Sequence, residues 1–532
     1  MPGTITDWKT SLANNEWGDF QTPEELVEEV VRSLPQEKWS RILEPTCGTG
    51  TFLRSVSLPR SAEFIGIEQN ANYAAQAGGS GEIIQRNIFD LNLSRDLPWK
   101  HAGPLLVIGN PPWVTNSELS SLRSINRPER RNLKNLSGFD ALTGASNFDI
   151  AEYIWLKLIV ELQDDSPTIA MLCKTHVARN VLSYCAQFGI GLKGASIRRI
   201  DAKRWFNASV DACLFTVEVA GDDSSPECLV YSDLDSSKPE MRIGVVDGAL
   251  VSDTVAYKAT RAADGHSPVD WRQGVKHDAA SVMELRSIGG KLENGLGEPV
   301  DVETEFVFPL LKCTDVYKGT PVGRRSVIVP QRHLGDDTSS LASTAPKLWA
   351  YLNQHSAALD GRKSSIYTGR PRFSVFGIGP YSFAPYKIAI SGLHKEPRFR
   401  LVGPSSDKPV MFDDTCYLLP FNDAEEALAV YGLLTSQVAL SLLESLVFWD
   451  AKRPITKKLL SRLDLQVIMQ ILDEKTLIES SAPALLNLGV RTQHDWTKTF
   501  ARLRRDWSST DNGRAIRKAA STPTTLFPVT LF

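Results

Sequence analysis

No apolar stretch in this 532-residue chain approaches the roughly 20 residues needed for a membrane-spanning helix. The N-terminus, with Asp7, Lys9 and Glu16, lacks the apolar core of a signal peptide, so a cytoplasmic protein is expected. Cysteine is scarce and scattered. Cys47, Cys173, Cys185, Cys213, Cys228, Cys313 and Cys416 include no C-x-x-C pair, and the eight histidines show no zinc spacing. Neither a disulfide framework nor a metal site is indicated. An excess of one charge is lacking too: a net charge of −3 argues against a wholly basic nucleic-acid coat but allows local basic surfaces. There is no internal repeat, no P-loop Gly-Lys-Ser/Thr and no complete G-x-G-x-x-G.

What is present describes an ordinary globular chain, 42% hydrophobic and 23% charged. It is too long for one core, so two or three domains are expected. The chain is organised around Asn110-Pro111-Pro112-Trp113, which closes the apolar run Leu105-Leu106-Val107-Ile108-Gly109. A branched apolar run cut off by two prolines predicts a buried parallel strand, and ligands bind at the carboxyl ends of such strands. Two prolines remove two N–H donors, leaving the Asn110 side chain and the neighbouring carbonyls as rigid acceptors. Such a site suits a planar amino group whose ring stacks on Trp113.

Upstream, Phe20-Gln21-Thr22-Pro23 leads into Leu26, Val27, Val30, Val31 and Leu34 at helical spacing. Thr22 with Glu25 has the capping-box pattern, and Pro23 occupies the first helical position. Arg41-Ile42-Leu43-Glu44 predicts a strand, followed by Pro45-Thr46-Cys47-Gly48-Thr49-Gly50 and a helix from Thr51. Glycines at such a turn admit close approach of a ligand to the backbone. Glu44 would repel a pyrophosphate, which favours a nucleoside with a cationic amino-acid tail. The strand Phe64–Glu68 ends in an acid roughly 20 residues beyond the glycines, where an α/β nucleotide-binding fold places a carboxylate for the ribose hydroxyls. Ile83–Asp90 adds a third strand and a polar turn, from which Asn87 or Asp90 would accept an adenine amino group.

Phe20-x-Thr22-Pro23, Glu44-Pro45-x-Cys47-Gly48-x-Gly50, Glu68, the Asn87 turn and Asn110-Pro111-Pro112-Trp113, in this order, resemble the S-adenosylmethionine-dependent DNA amino-methyltransferases. With Phe-x-Thr-Pro first and a long recognition region last, the order is similar to that of their gamma group, the N6-adenine enzymes of type II restriction-modification systems. The resemblance covers roughly the first 220 residues. In overall look the chain also resembles the methylases that protect CTCGAG (XhoI-type) sites. One departure is Asn87, where the family usually has Asp. The resemblance implies S-adenosyl-L-methionine as cofactor, held by Phe20, Thr22, Pro23, Glu44, Pro45, Cys47, Gly48, Gly50, Glu68, Asn87 and Phe89. Catalysis would fall to Asn110, Pro111, Pro112 and Trp113, joined by Phe206 of Trp205-Phe206-Asn207, which is similar to the segment presenting an aromatic to a flipped adenine.

The rest of the chain is read around that sheet. Ser117 to Lys134 carries Arg123, Arg127, Arg130, Arg131 and Lys134 directly after the catalytic turn, a position suited to phosphate contact. Phe148 to Leu162 predicts an amphipathic helix, Thr168 to Cys173 a buried strand, and Arg198–Asp201 and Cys213–Val219 the final strands. Gly221 to Pro226 looks like a linker, and Cys228 to Asp253 like a strand pair around Asp247-Gly248. Beyond about residue 255, glycine, proline, aromatic and basic residues interleave, as in Trp271–His277, Tyr367–Phe373 and Lys452–Lys458. Lys276, Arg370 and Arg372 are the DNA-contact candidates there. Ala501 to Lys518 looks like a basic, partly amphipathic tail.

The expected architecture is α/β: a Rossmann-like methyltransferase sheet in residues 1–255 and a mixed α+β DNA target-recognition domain in 256–532. The expected partner is double-stranded DNA, in a bacterial or archaeal cytoplasm and associated with the nucleoid. No nuclease signature precedes Phe20, so a cognate restriction endonuclease is expected on a separate chain, and a monomer is expected here. N4-cytosine methylation stays open, as does a non-catalytic DNA-binding specificity protein with a relict fold.

Overall fold

The computed structural model describes residues 21–35, 37, 39–114, 149–221, 224–225, 227–488 and 496–520. The chain divides after Val255 into two compact units. In the first, the short apolar runs become parallel strands because each is covered on both faces. Arg41–Glu44 (β1), Glu63–Glu68 (β2), Glu82–Gln85 (β3), Leu105–Gly109 (β4) and Thr168–Lys174 (β5) lie in the order β3-β2-β1-β4-β5. Leu43 stands in register with Ile65 on one side and Val107 on the other. Leu192–Ile200 (β6) and Ala212–Val219 (β7) complete the core antiparallel, with β7 beside β5.

The sheet runs further than the sequence indicated. Glu227–Tyr231 (β8) pairs parallel with β6, and Met241–Val246 (β9) and Ala249–Val251 (β10) follow antiparallel, giving ten strands. Asp247 and Gly248, at φ 51° and 77°, make the tight turn of the β9-β10 hairpin. The break after Val219 is therefore a loop inside the sheet: Ala220 N donates to Gly191 O and Ser225 N to Leu192 O. Pro226 lies outside the described residues.

Glu24–Arg32 (α1), Ala71–Ala77 (α2), Ile150–Leu162 (α3), Thr175–Phe188 (α4) and Ala202–Phe206 (α5) are the helices that frame the sheet. The expected amphipathic helix is α3, and it is buried nearly all round, with Trp155 fully enclosed. Its charges are tolerated because they are paired. Lys157 Nζ donates to Leu91 O at 2.7 Å and to Glu161 at 2.6 Å, and Glu152 accepts from Asn180 of α4 at 2.7 Å. Burial pushes the Glu152 carboxyl up to about 7. No helix follows the glycine turn: Thr51–Arg54 closes a single turn through Arg54 N to Gly50 O. The chain beyond it is held instead by Glu28 of α1, which accepts from Ser55 Oγ, Val56 N and Ser57 Oγ.

The second unit holds two sheets. In one, Arg272–Gln273 (β11), Cys416–Phe421 (β19), Tyr386–Ser391 (β16) and Phe399–Val402 (β17) are neighbours in that order. In the other the order is Lys291–Asn294 (β13), Glu284–Ile288 (β12), Ser326–Ile328 (β15), Val307–Leu311 (β14) and Met411–Phe412 (β18). No single helix among the described residues is long and apolar enough to cross a membrane. The bent apolar pair Ala424–Thr435 and Gln437–Leu446 is core, with Leu428, Leu433, Leu442 and Leu443 all fully buried.

Lys387 on β16 is 1% exposed, and its Nζ donates to Ala384 O at 2.8 Å and Val410 O at 2.9 Å. Two carbonyls match the two N–H bonds of a neutral amine, and burial lowers its pKa to about 7. The unfolded chain then binds a proton that the folded chain releases between about pH 7 and 10.5, so this group makes stability rise with pH across that window. Its burial cost is fully present below about pH 7 and gone above 10.5. The stability of Lys387→Met relative to wild type should therefore fall by about 5 kcal/mol across the window. Urea unfolding of both proteins at pH 7, 8 and 9 tests this; parallel curves would mean the amine stays charged.

Candidate active site

The carboxyl ends of β1, β2 and β4 open on one cleft. Pro45, Gly48, Glu68, Asn87, Phe89, Asn110 and Pro112, all singled out from sequence, line it together. Val114 and Ile150 line it as well, and Val114 O accepts from Ile150 N at 3.0 Å. Between Val114 and Ile150 in the sequence come Arg123, Arg127, Arg130 and Arg131. Those four arginines and Phe20 lie outside the described residues.

Glu68 does more than terminate β2. Its Oε2 accepts from Gly48 N at 2.9 Å and its Oε1 from Asn70 N at 2.7 Å, so one carboxylate pins the glycine turn to the start of α2. Each oxygen keeps acceptor capacity for a ribose hydroxyl. Gly48 sits at φ +52°, a backbone conformation that favours glycine. Gly50, at φ +79°, backs onto Ala77 and does not line the cleft. Cys47 is likewise packed with Leu53 and Ala77, its thiol pushed up by burial and by the neighbouring Glu44 and Glu68 carboxylates. It contributes its backbone, N donating to Ile67 O at 2.9 Å, and not a side-chain contact with a ligand.

Glu44 is buried at 3% exposure, beneath the cleft surface and not on it. Burial drives its carboxyl well above the usual range, with the charge of Glu68 adding to the effect. Its Oε2 has no hydrogen-bond partner among the described residues. A buried acid with an unpartnered oxygen behind the cleft wall fits a ligand with a cationic tail, and Glu68 on the wall fits a ribose. Asn87 caps its own turn, Oδ1 accepting from Phe89 N at 3.0 Å while Nδ2 donates to Gln69 Oε1 at 3.1 Å. Asp90 is exposed and does not line the cleft.

The Asn110–Trp113 turn differs from expectation in its aromatic residues. Trp113 is 5% exposed, its Nε1 donates to Leu172 O at 3.4 Å, and its ring meets Phe206 edge-on at 5.1 Å and 75°. The two rings are 5% and 8% exposed and belong to one core cluster with Leu26, Leu172 and Leu214. Packing claims both, and neither offers the open face that stacking on a base requires. Trp205 is only partly buried and carries Arg204 over its ring at 4.3 Å. Pro111 is buried, while Pro112 reaches the cleft.

Thr22 does not cap α1. The N-cap is Pro23, with no side-chain cap bond. The Thr22 hydroxyl instead accepts from Asn110 Nδ2 at 3.2 Å. Sequence reasoning passed over Gln21, whose Oε1 accepts from Thr49 N at 3.3 Å and Thr49 Oγ1 at 3.0 Å. A polar residue beside Thr-Pro was the only available signal.

In the second unit, Lys276 pairs with Asp278 at 2.7 Å and Asp414 at 3.7 Å. Arg372 pairs with Asp360 at 2.7 Å and reaches Asn353 at 3.2 Å. Both are already neutralised by the protein's own acids. Arg370 is exposed, and its guanidinium lies over the Phe376 ring at 5.9 Å.

No protein-family model matches the chain. The type II methyltransferase M.NspV of Nostoc sp. (strain ATCC 29411 / PCC 7524) is 41% identical over 477 residues, spanning 87% of this chain and 98% of that one. The type II methyltransferase M.CvrRI of Paramecium bursaria Chlorella virus XZ-6E is 32% identical over 101 residues, 18% of this chain and 25% of that one. Among solved structures, the type IIL restriction-modification enzyme MmeI, determined in complex with DNA, aligns at TM-score 0.53 and 12% identity, covering 95% of this chain and 76% of that one. Likeness to M.NspV over almost its whole length, joined to a methyltransferase sheet whose cleft suits the cofactor, establishes that this chain belongs to the type II DNA methyltransferases and uses S-adenosylmethionine.

Proposed function

We propose that the chain is a site-specific methyltransferase acting on adenine N6 in duplex DNA, flipping the target base out of the helix and protecting host DNA from a cognate restriction endonuclease. The observation that carries this reading is the sharing of one cleft by Asn110 and Pro112 with Glu68, Asn87 and Phe89. The amine-accepting turn and the nucleoside-binding groups thereby face a common space. Bound S-adenosylmethionine would supply an electrophilic methyl group. Glu68 would hold the ribose and Glu44 would compensate the cationic tail. Asn110 Oδ1 and the Pro111 carbonyl would accept from the target amine and draw its lone pair out of conjugation, so that positioning and fixed dipoles lower the barrier. Extrusion of the base would cost a few kcal/mol, offset by contacts in the cleft.

The chemistry is read directly by transfer of tritiated methyl from S-adenosylmethionine to unmethylated plasmid DNA, followed by nucleoside analysis. Label in N6-methyladenine supports the proposal; label in N4-methylcytosine transfers the same site to the cytosine reading, and no label supports a relict fold. Long-read mapping of the modified bases then gives the recognised sequence and tests CTCGAG.

In this reading the unit ending at Val255 carries catalysis, and the unit beyond it carries target recognition as a monomer on DNA. Removing the Arg370 cation should weaken DNA binding more than removing Lys276 or Arg372, whose charges are already balanced. A phosphate contact would lower the salt slope by about one, whereas a base contact would relax preference at one position. The measurement is DNA affinity against salt for specific and scrambled duplexes. Equal losses in all three variants would contradict this ranking.

A further inference from the structure

We propose that Thr22 is a positioning residue for methyl transfer, acting through Asn110, and is not a contact to the cofactor. Thr22 is 8% exposed and does not line the cofactor cleft, and its hydroxyl faces Asn110 Nδ2 at 3.2 Å. The hydroxyl does not cap the helix that begins two residues later, although its sequence context has the capping pattern. Pro23, at φ −60° and ψ 142°, is extended, and the side chains of Gln21 and Thr22 take different partners. Gln21 turns to the glycine turn through Thr49, and Thr22 turns to the catalytic turn. Leu26 and Val27, at 0% and 1% exposure, anchor the helix that holds this strap in place.

The physical need is clear from the asparagine itself. The terminal torsion of an asparagine is broad and roughly two-fold, so its oxygen and nitrogen exchange places at small cost unless a neighbour selects one orientation. The Thr22 hydroxyl holds the amide edge that faces it, and with Nδ2 on that edge Oδ1 is turned away from Thr22. Only an oxygen can accept from the target amine; the amide nitrogen would present two hydrogens to it. Thr22 therefore converts a loosely oriented amide into a preorganised acceptor, the kind of support whose loss degrades geometry without removing the reacting group.

This inference rests on Asn110 being the amine acceptor. Its test is single-turnover transfer from tritiated S-adenosylmethionine to unmethylated plasmid DNA by the full chain, alongside direct titration of the cofactor. Thr22→Val keeps the volume and removes the hydroxyl. It should lower the rate at saturating cofactor and DNA about tenfold while the Kd for S-adenosylmethionine stays within about twofold. Thr22→Ser, which restores the hydroxyl, should recover the rate to within about threefold. A wild-type saturating rate in Thr22→Val, or a loss seen only as weaker cofactor binding, would overturn the proposal. If Thr22→Val does not fold, Thr22→Ala against Thr22→Ser reads the same hydroxyl. Activity surviving in Asn110→Ala would strike at the role of Asn110 itself; an inactive Asn110→Ala with an unimpaired Thr22→Val would remove only the role of Thr22.

Discussion

Asn110→Ala is expected to lower methyl transfer at saturating cofactor and DNA at least about a hundredfold, the low end for loss of one preorganised hydrogen-bonding group. The Kd for S-adenosylmethionine should hardly move. Asn110 stands at the end of β4, while the groups suited to the nucleoside, Glu68, Asn87 and Phe89, come from β2 and the turn after β3. The two sets share a cleft without sharing a backbone segment, so deleting one acceptor leaves the other set standing. The alanine variant also loses the contact of Asn110 Nδ2 with the buried Thr22 hydroxyl. That loss should cost about 1 kcal/mol of stability, too little to unfold a domain of this size. Asn110→Asp keeps an acceptor at the same place and should retain more activity than alanine. Single-turnover rates and cofactor titrations of the three proteins decide the matter. A rate within tenfold of wild type in Asn110→Ala would remove the turn from the chemistry.

Glu68→Ala should show the opposite pattern, a large loss of cofactor affinity with a nearly unchanged saturating rate. Loss of a charged acceptor for a ribose hydroxyl costs about 1.5–3 kcal/mol, roughly ten- to a hundredfold in Kd. The structure adds a second cost, because the same carboxylate accepts from Gly48 N at 2.9 Å and Asn70 N at 2.7 Å. Without it, two backbone donors lose their partner and the glycine turn loses its tie to α2. Glu68→Gln should therefore rescue little, since an amide nitrogen would face one of those two N–H groups. Isothermal titration of S-adenosylmethionine into each variant reads both effects. Affinity unchanged in Glu68→Ala would make the acid purely structural; full recovery in Glu68→Gln would show that its charge and its double acceptance do not matter.

What the sequence by itself determined was the layout of the first unit. Strand ends are marked by local chemistry, such as two prolines after Gly109, glycines after Glu44 and an acid closing β2, and local chemistry is legible without a fold. Because ligands of parallel sheets gather at those ends, seven residues named from sequence line one cleft in the structure. The sequence also carried the cofactor class, through an acid where a pyrophosphate binder cannot have one.

Tertiary structure decided everything that depends on which neighbour claims a side chain. Trp113 and Phe206 were open to two uses, and packing against each other took both. Helix α3 reads as amphipathic because its polar positions are visible in sequence, but their buried partners, Leu91 O and Asn180, are distant in the chain. The basic character of Lys276 and Arg372 is a sequence property, whereas their neutralisation by Asp278 and Asp360 depends on how the loops close. Thr22 had the local pattern of a helix cap and became the partner of a residue 88 positions away. Local preferences for caps, turns and charge are worth about 1 kcal/mol each, so a well-placed long-range partner in a close-packed interior outweighs them.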